Sequence, residues 1–469
     1  MCGDGPSGSE FEGQGYDCDA GSLMVLGIEG RSVVGNLRNV VSWSSRLAGL
    51  ALFCLFCLAG PVSAQNPAAA PVAFAPPRRT TEQDAAWKKA NTLKFQAAQR
   101  AIAPTNAETA ILVEGANLFV DRMTIPKYVS NLHLYVIEPA KRSVEGALTQ
   151  PKPREILLKA MTARVVELLA ENPPHHPDIQ LGLVLLLEVL NAKPADTNTP
   201  VAVPFTGSYK VLISVLEDPA RPLQCRIHAA SGLGRMARES VVAVIGGDLL
   251  VVQRSEIATA LAKVLASTPA QGQEDGKVWF RCRTAQALGD CGVAFDLNDR
   301  SVFIDALMIK ATDPAEHVRV RAAALRATTQ LNWNGSTNVP LILHETAELL
   351  LEVAQGYNAA LAANKRLANA DFPLANFDIY LSFSPKTTQQ ANTSKWGLRN
   401  QVTRVGLVQH APTVAAAYAV CLPVINQIVA NPKVPVPIPA AQIAALDAWV
   451  KANVPKDRKP TTVSPAAVP

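Results

Sequence analysis

Between about residues 153 and 330 the chain repeats one plan: an amphipathic helix, a short turn, a second helix. The apolar spacing places the pairs at 154–171 with 177–191, 207–217 with 222–237, 252–267 with 277–290, and 300–312 with 316–330. The second helices align with one another. Ala229-Ala230-Ser231-Gly232-Leu233-Gly234 lies over Thr284-Ala285-Gln286-Ala287-Leu288-Gly289 at an offset of 55, and Ala322 and Leu325 lie over Ala285 and Leu288 at an offset of 37. A unit of about 35 residues cannot bury both faces of its helices alone, so it must stack on its neighbour. Small residues at Ala230, Ala285 and Ala322 permit close approach, and Leu233, Leu288 and Leu325 fill the layer between units. The fold class that follows is all-α: an α-solenoid of stacked antiparallel helix pairs.

The turns repeat as well, as Leu216-Glu217-Asp218-Pro219-Ala220 and Ala311-Thr312-Asp313-Pro314-Ala315. Asp218 and Asp313 fall where a helix N-cap is expected, with proline at the first turn position. Together the turns and second helices follow the pattern L-x-D-P-x-x-x-V-R-x-x-A-A-x-A-L-G. This resembles the HEAT-repeat family in its short, PBS-lyase-like form, over 150–335 closely and over 336–430 loosely. The resemblance implies a HEAT-like superhelix in which arginines early in the second helix (Arg226, Arg281 or Arg283, Arg319) reach the turn aspartate of a neighbouring repeat. It further implies a concave face lined by second helices, where such solenoids bind protein or peptide partners. Arg226, Arg283 and Arg319 are therefore the candidate partner-binding residues. Two departures stand out: the turn TPAQGQEDG replaces Asp-Pro in the third pair, and 238–251 is an insertion.

Outside the repeats, 65–80 is Pro/Ala-rich and reads as a linker, and 81–150 as an N-terminal helical cap. Within that cap Leu132 to Ile137 fits a buried helix or a short strand equally. Residues 336–430 read as divergent helical repeats: one long helix at 340–367, an aromatic ordered loop at 369–393, then helices at 396–408 and 411–430. Residues 431–453 hold a Pro-rich extended linker and a capping helix from Ala440 to Asn453, and 454–469 reads as a disordered tail.

The longest apolar run, Leu47 to Gly60, is 14 residues, follows Arg31, Arg38 and Arg46, and ends in Val62-Ser63-Ala64. It is short for a membrane-spanning helix, which needs about 20 residues, and has the plan of a secretory signal peptide cut after Ala64. Residues 1–23 are acidic and Gly-rich, which points to Met24 as the functional start. The alternative is an uncleaved N-terminal anchor. Export would deliver the chain to the periplasm or the exterior. Removing 1–64 takes away six acidic and three basic residues and leaves 41 basic and 33 acidic ones, a net charge of +8. No block of five like charges occurs, so a dedicated nucleic-acid-binding role is excluded.

No catalytic, cofactor or metal constellation rises above the background. There is no Cys-x-x-Cys-His for covalent haem and, beyond the leader, no Cys-x-x-Cys; a Gly-x-Ser-x-Gly elbow and a phosphate loop are both missing. His175-His176 with Asp178 reads as a solvated turn, and His344-Glu345 lacks the second histidine of a metalloprotease. His228 and Ser231 share a helix without an orienting carboxylate nearby in sequence, and the aspartates at 290, 296, 299 and 305 do not follow the calcium-loop spacing. Cys225 and Cys282 occupy nearly equivalent places on stacked helices and form the candidate disulfide. The function expected is a non-catalytic scaffold. Two alternatives are a polysaccharide-binding module using the loop 369–393, with Phe377, Tyr380 and Phe383 stacking on sugar, and a lyase-like or chaperone role toward a cofactor-carrying protein. N-terminal sequencing of protein from its native envelope is expected to begin at Gln65; a start upstream of Leu47 would establish the anchor instead.

Overall fold

A computed structural model describes residue 74 and residues 76–461, apart from 198–199, 241–243, 245, 268–274, 364–370, 384–395 and 430–434. The leader, the cut after Ala64 and most of the 65–80 linker lie outside the described residues.

Helices α1 (Thr81–Arg100) and α2 (Asn106–Asp121) each open on a reciprocal capping box, Thr80 with Gln83 and Thr105 with Glu108. The segment after Leu132 resolves to a π-helical turn at His133–Ile137, which runs into α3 (Glu138–Glu145). Next come α4 (Pro151–Leu169) and α5 (Pro177–Val189), both opened by proline in the first turn. A two-stranded antiparallel ribbon, Asn191–Lys193 with Val203–Pro204, links them to the following pairs. These are α6 (Tyr209–Glu217) with α7 (Leu223–Glu239), α8 (Val251–Ser267) with α9 (Asp275–Cys291), α10 (Val302–Thr312) with α11 (Val318–Thr328), and α12 (Val339–Ala362) with α13 (Asp371–Phe383). Helices α14 (Ala411–Val429) and α15 (Ala440–Ala452) close the array against α12.

The helices pack in sequence order in two rows. First helices form α6–α8–α10–α12 and second helices form α5–α7–α9–α11–α13, with the second row in closer contact. This is the solenoid-like array that the repeat pattern predicts. Glycine sets the tight spacing. A Cβ on Gly234 of α7 would lie 2.9 Å from the Ala287 Cα of α9, and one on Gly289 of α9 would lie 2.7 Å from the Ala327 Cα of α11. The two glycines are the aligned ends of the repeated motif, so the backbone-to-backbone contact recurs with the repeat. One continuous apolar core runs from Phe95 to Val450 through every pair.

Three expectations are corrected. Asp218 and Asp313 do not cap the second helices; each ends the first helix of its pair, and its side chain accepts from the N–H two residues on, of Ala220 and Ala315. The aspartate thus closes the turn, an Asx geometry that competes with N-capping. The segment read as a loop at 369–393 contains a helix, Asp371–Phe383, whose buried side (Ala375, Asn376, Ile379, Ser382, Phe383) packs between α11 and α14; 384–393 lies outside the described residues. The tail read as disordered is ordered to Thr461. Asn338 donates to the Asp457, Lys459 and Pro460 carbonyls, and Thr337 bridges Thr461.

Among the described residues one helical stretch, Val408–Val429, is long and apolar enough to cross a membrane, by length and composition only. Its stripe Val414, Ala417, Cys421, Val424, Ile425 and Ile428 is buried against the neighbouring helices. The stack makes a specific demand at Gly289. Gly289→Ala is expected to destabilise the fold, because overpacking costs about 1–3 kcal/mol and outweighs the roughly 1 kcal/mol gained in helix propensity. Gly335, where an added Cβ meets nothing within 4 Å, is the matched control. Urea unfolding followed by circular dichroism reads both.

Candidate functional site

On the second-helix row two of the three predicted arginines, Arg283 and Arg319, converge on one ring. Helix α9 presents Trp279 and, one turn on, Arg283, whose guanidinium carbon lies 4.3 Å from the indole centroid. Arg319 of α11 reaches the same ring at 5.7 Å. A partly exposed indole thus has two cations at its π system, each contact worth about 0.5–2 kcal/mol. Arg319 also pairs with Asp371 at 3.4 Å, and His317 stands 3.5 Å from that carboxylate. Further along, Arg326 pairs with Asp378 at 2.7 Å, and on the opposite side His228 pairs with Glu188 at 2.7 Å. From Glu188 to Asp378 the row carries three acid–base pairs, with Arg283 and Arg319 at Trp279 between them.

Electrostatics follow from burial and neighbours. His317 and Arg319 hold the Asp371 carboxyl below its ordinary range. Burial pushes the Asp378 carboxyl up, against the pull of Arg326, Arg319 and Arg283. Burial also lowers the Arg283 pKa, without bringing a guanidinium near neutrality.

Arg226 stands apart from the other two. Its guanidinium stacks on Phe280 at 4.7 Å, and its Nε donates to the Leu216 carbonyl at 2.9 Å, at the end of α6. Arg321 does the same to Ala311, and Arg154 to Val144, in each case ten residues back. These arginines close the C-terminal carbonyls of the preceding helix, which favour a cation. The expected ladder to the turn aspartates is replaced by another. Arg281 pairs with Glu316 at 2.9 Å, with both side chains buried, and Arg319 pairs with Asp371. In both cases the acid sits at the start of the next second helix, where the helix dipole favours it.

Sequence reasoning missed Trp279, Asp371 and Asp378. The signal for Trp279 was present in Trp279-Phe280-Arg281-Cys282-Arg283, where a half-buried aromatic precedes an arginine by one turn. Asp371 and Asp378 had none, because they join the row only once α13 packs on α11.

The three rings proposed for glycan stacking do not make a platform. Phe377 is 49% exposed, Tyr380 is half-buried, and Phe383 is fully buried against Tyr418. Along this helix the three rings pass from exposed at Phe377 to buried at Phe383. The predicted disulfide is also absent: Cys225 and Cys282 are free and buried. Cys225 belongs to the main core, whereas Cys282 faces Val278, Val320 and Ala323 at the next interface. Equivalent register therefore aims the two thiols into successive layers, away from each other.

His175 is buried rather than solvated, with Nε2 2.9 Å from Glu171, while His176 stacks on Phe74 at 4.4 Å. Glu188 orients His228, but among the described residues Ser231 makes no hydrogen bond to it, so no nucleophile–base pair forms. Asp296 closes its own loop on the Asn298 and Arg300 amides.

Burial pushes the Cys225 thiol up to about 11 and the Cys282 and Cys421 thiols up to about 12, and raises Cys291 as well. Thiolate, the reactive form, is therefore scarce at neutral pH. A disulfide-exchange reagent at pH 8 is expected to leave all four thiols of folded residues 65–469 unmodified and to titrate four after denaturation; native reactivity at Cys225 would contradict its burial.

No family model, curated protein or solved structure matches this chain.

Proposed function

We propose that this chain is an exported, non-catalytic scaffold of HEAT-like repeats that holds an extended protein or peptide segment along its second helices. The observation that carries this reading is Trp279, partly exposed and held between Arg283 and Arg319 at the middle of the row. An aromatic anchor with guanidiniums on its flanks is the side-chain set that dominates peptide-binding surfaces. Glu188 with His228 on one side, and Arg326 with Asp378 on the other, offer hydrogen-bonding groups to the backbone of a bound segment. The closer contact of the second helices supports the same side as the inner one, because a stack curves toward its tighter row. Export rests on the leader read at Leu47 to Ala64. The role needs no cofactor and no reacting residue.

A displayed library of random extended peptides, selected on the mature chain, tests it. Selected peptides are expected to lose affinity at least about tenfold on Trp279→Ala and on Arg283→Glu. They should also protect amides of α7, α9 and α11 from hydrogen exchange. Selection of no binder, or of binders indifferent to both substitutions, would overturn the reading.

A further inference from the structure

We infer that the first turns of α12 form a binding site for a divalent transition-metal ion of the zinc class, ligated by His344, Glu345 and Glu348. His344 is 2% exposed, and among the described residues neither ring nitrogen has a hydrogen-bond partner. A buried imidazole left in that state is unusual. Its Nδ1 stands 3.6 Å from Oε1 of Glu345 and 3.6 Å from Oε2 of Glu348. That is too long for a hydrogen bond. It is close to the edge of a zinc tetrahedron, where bonds of about 2.0–2.2 Å hold neighbouring donors about 3.4 Å apart. The three donor atoms all lie within 4.8 Å of one another. Glu348 is half exposed, so its side chain can close the remaining edge, and water would take the fourth position on that open side.

Charge points the same way. Two carboxylates meet there, and Arg458 pairs with one of them, Glu345. Arg458 is 61% exposed at its side chain and reaches Glu345 from the C-terminal segment. That segment is held separately by Asn338, at 2.8 Å to the Lys459 carbonyl. The guanidinium can therefore give way to a dication while the segment stays in place, so Arg458 competes with the metal for Glu345. Imidazole with carboxylates suits zinc, and the same set accepts cobalt in its place.

The test uses the full mature chain, stripped with a chelator and titrated with Zn²⁺ alone and with Co²⁺ alone. One Zn²⁺ per chain is expected, and a tetrahedral Co²⁺ absorption band that Zn²⁺ displaces. Glu348→Gln should weaken uptake by roughly tenfold or more, since losing a ligand costs at least what losing a second-shell group does. His344→Gln should abolish uptake, and Arg458→Gln should tighten it several-fold. His344→Gln alters a buried group, so its fold is checked by circular dichroism; if it fails to fold, Glu348→Gln and Arg458→Gln decide alone, both being at exposed side chains. No uptake by the unaltered chain, or uptake indifferent to Glu348 and Arg458, overturns the site.

Discussion

The close approach of the second helices is the constraint on which the rest of this structure depends. Gly234 over Ala287 and Gly289 over Ala327 bring backbone against backbone at distances that no side chain larger than hydrogen permits. Dispersion and burial then act over the whole length of paired helices rather than at scattered contacts. The first helices face no such requirement and stand in looser contact. The tight row also sets the polar chemistry. Arg319 reaches Trp279, and Asp378 reaches Arg326, because α11 is close to both α9 and α13.

Charge is placed inside this stack by rule. Arg281 and Glu316 are both buried and hydrogen-bonded to each other, and Lys310 stands 3.6 Å from the same carboxylate, so two cations meet one acid inside the layer. The Arg154, Arg226 and Arg321 side chains repeat one device, each donating to a carbonyl ten residues earlier. Arg226 and Arg321 thereby tie the two helices of their pairs together, and Arg154 ties α4 to α3. Arg283 and Arg319 have a different environment: their guanidiniums meet an indole that solvent also reaches. Three arginines that look alike in the repeat alignment thus divide into one that closes a helix end and two that face the surface.

The expectations that failed share a cause. An aspartate before proline suits both a helix N-cap and an Asx turn, and the short connection between paired helices decides for the turn. The aromatic segment after 369 has too few charged residues to show a helical face by itself; α11 and α14 supply the apolar walls that make Asp371–Phe383 a helix with Phe383 inside. The C-terminal residues to Thr461 have no apolar pattern, and they are held by carbonyls that accept from the Asn338 side-chain amide, more than a hundred positions away. Equivalent register suggested that Cys225 and Cys282 could meet, but register fixes position along a helix and leaves open the interface each side chain enters.

Repeat spacing, small residues at fixed offsets and helix periodicity are local properties, and they were enough to determine an all-helical array packed in chain order. The charge balance of the chain is likewise readable from composition. What only tertiary packing decided is which side chains share a surface. Trp279 with Arg319, Arg326 with Asp378, and Glu345 with Arg458 come from different helices or ends of the chain. Contacts of that kind depend on the rotation and separation of neighbouring helices. Those are set by how volumes fit across an interface, which a linear pattern of apolar and polar residues does not encode.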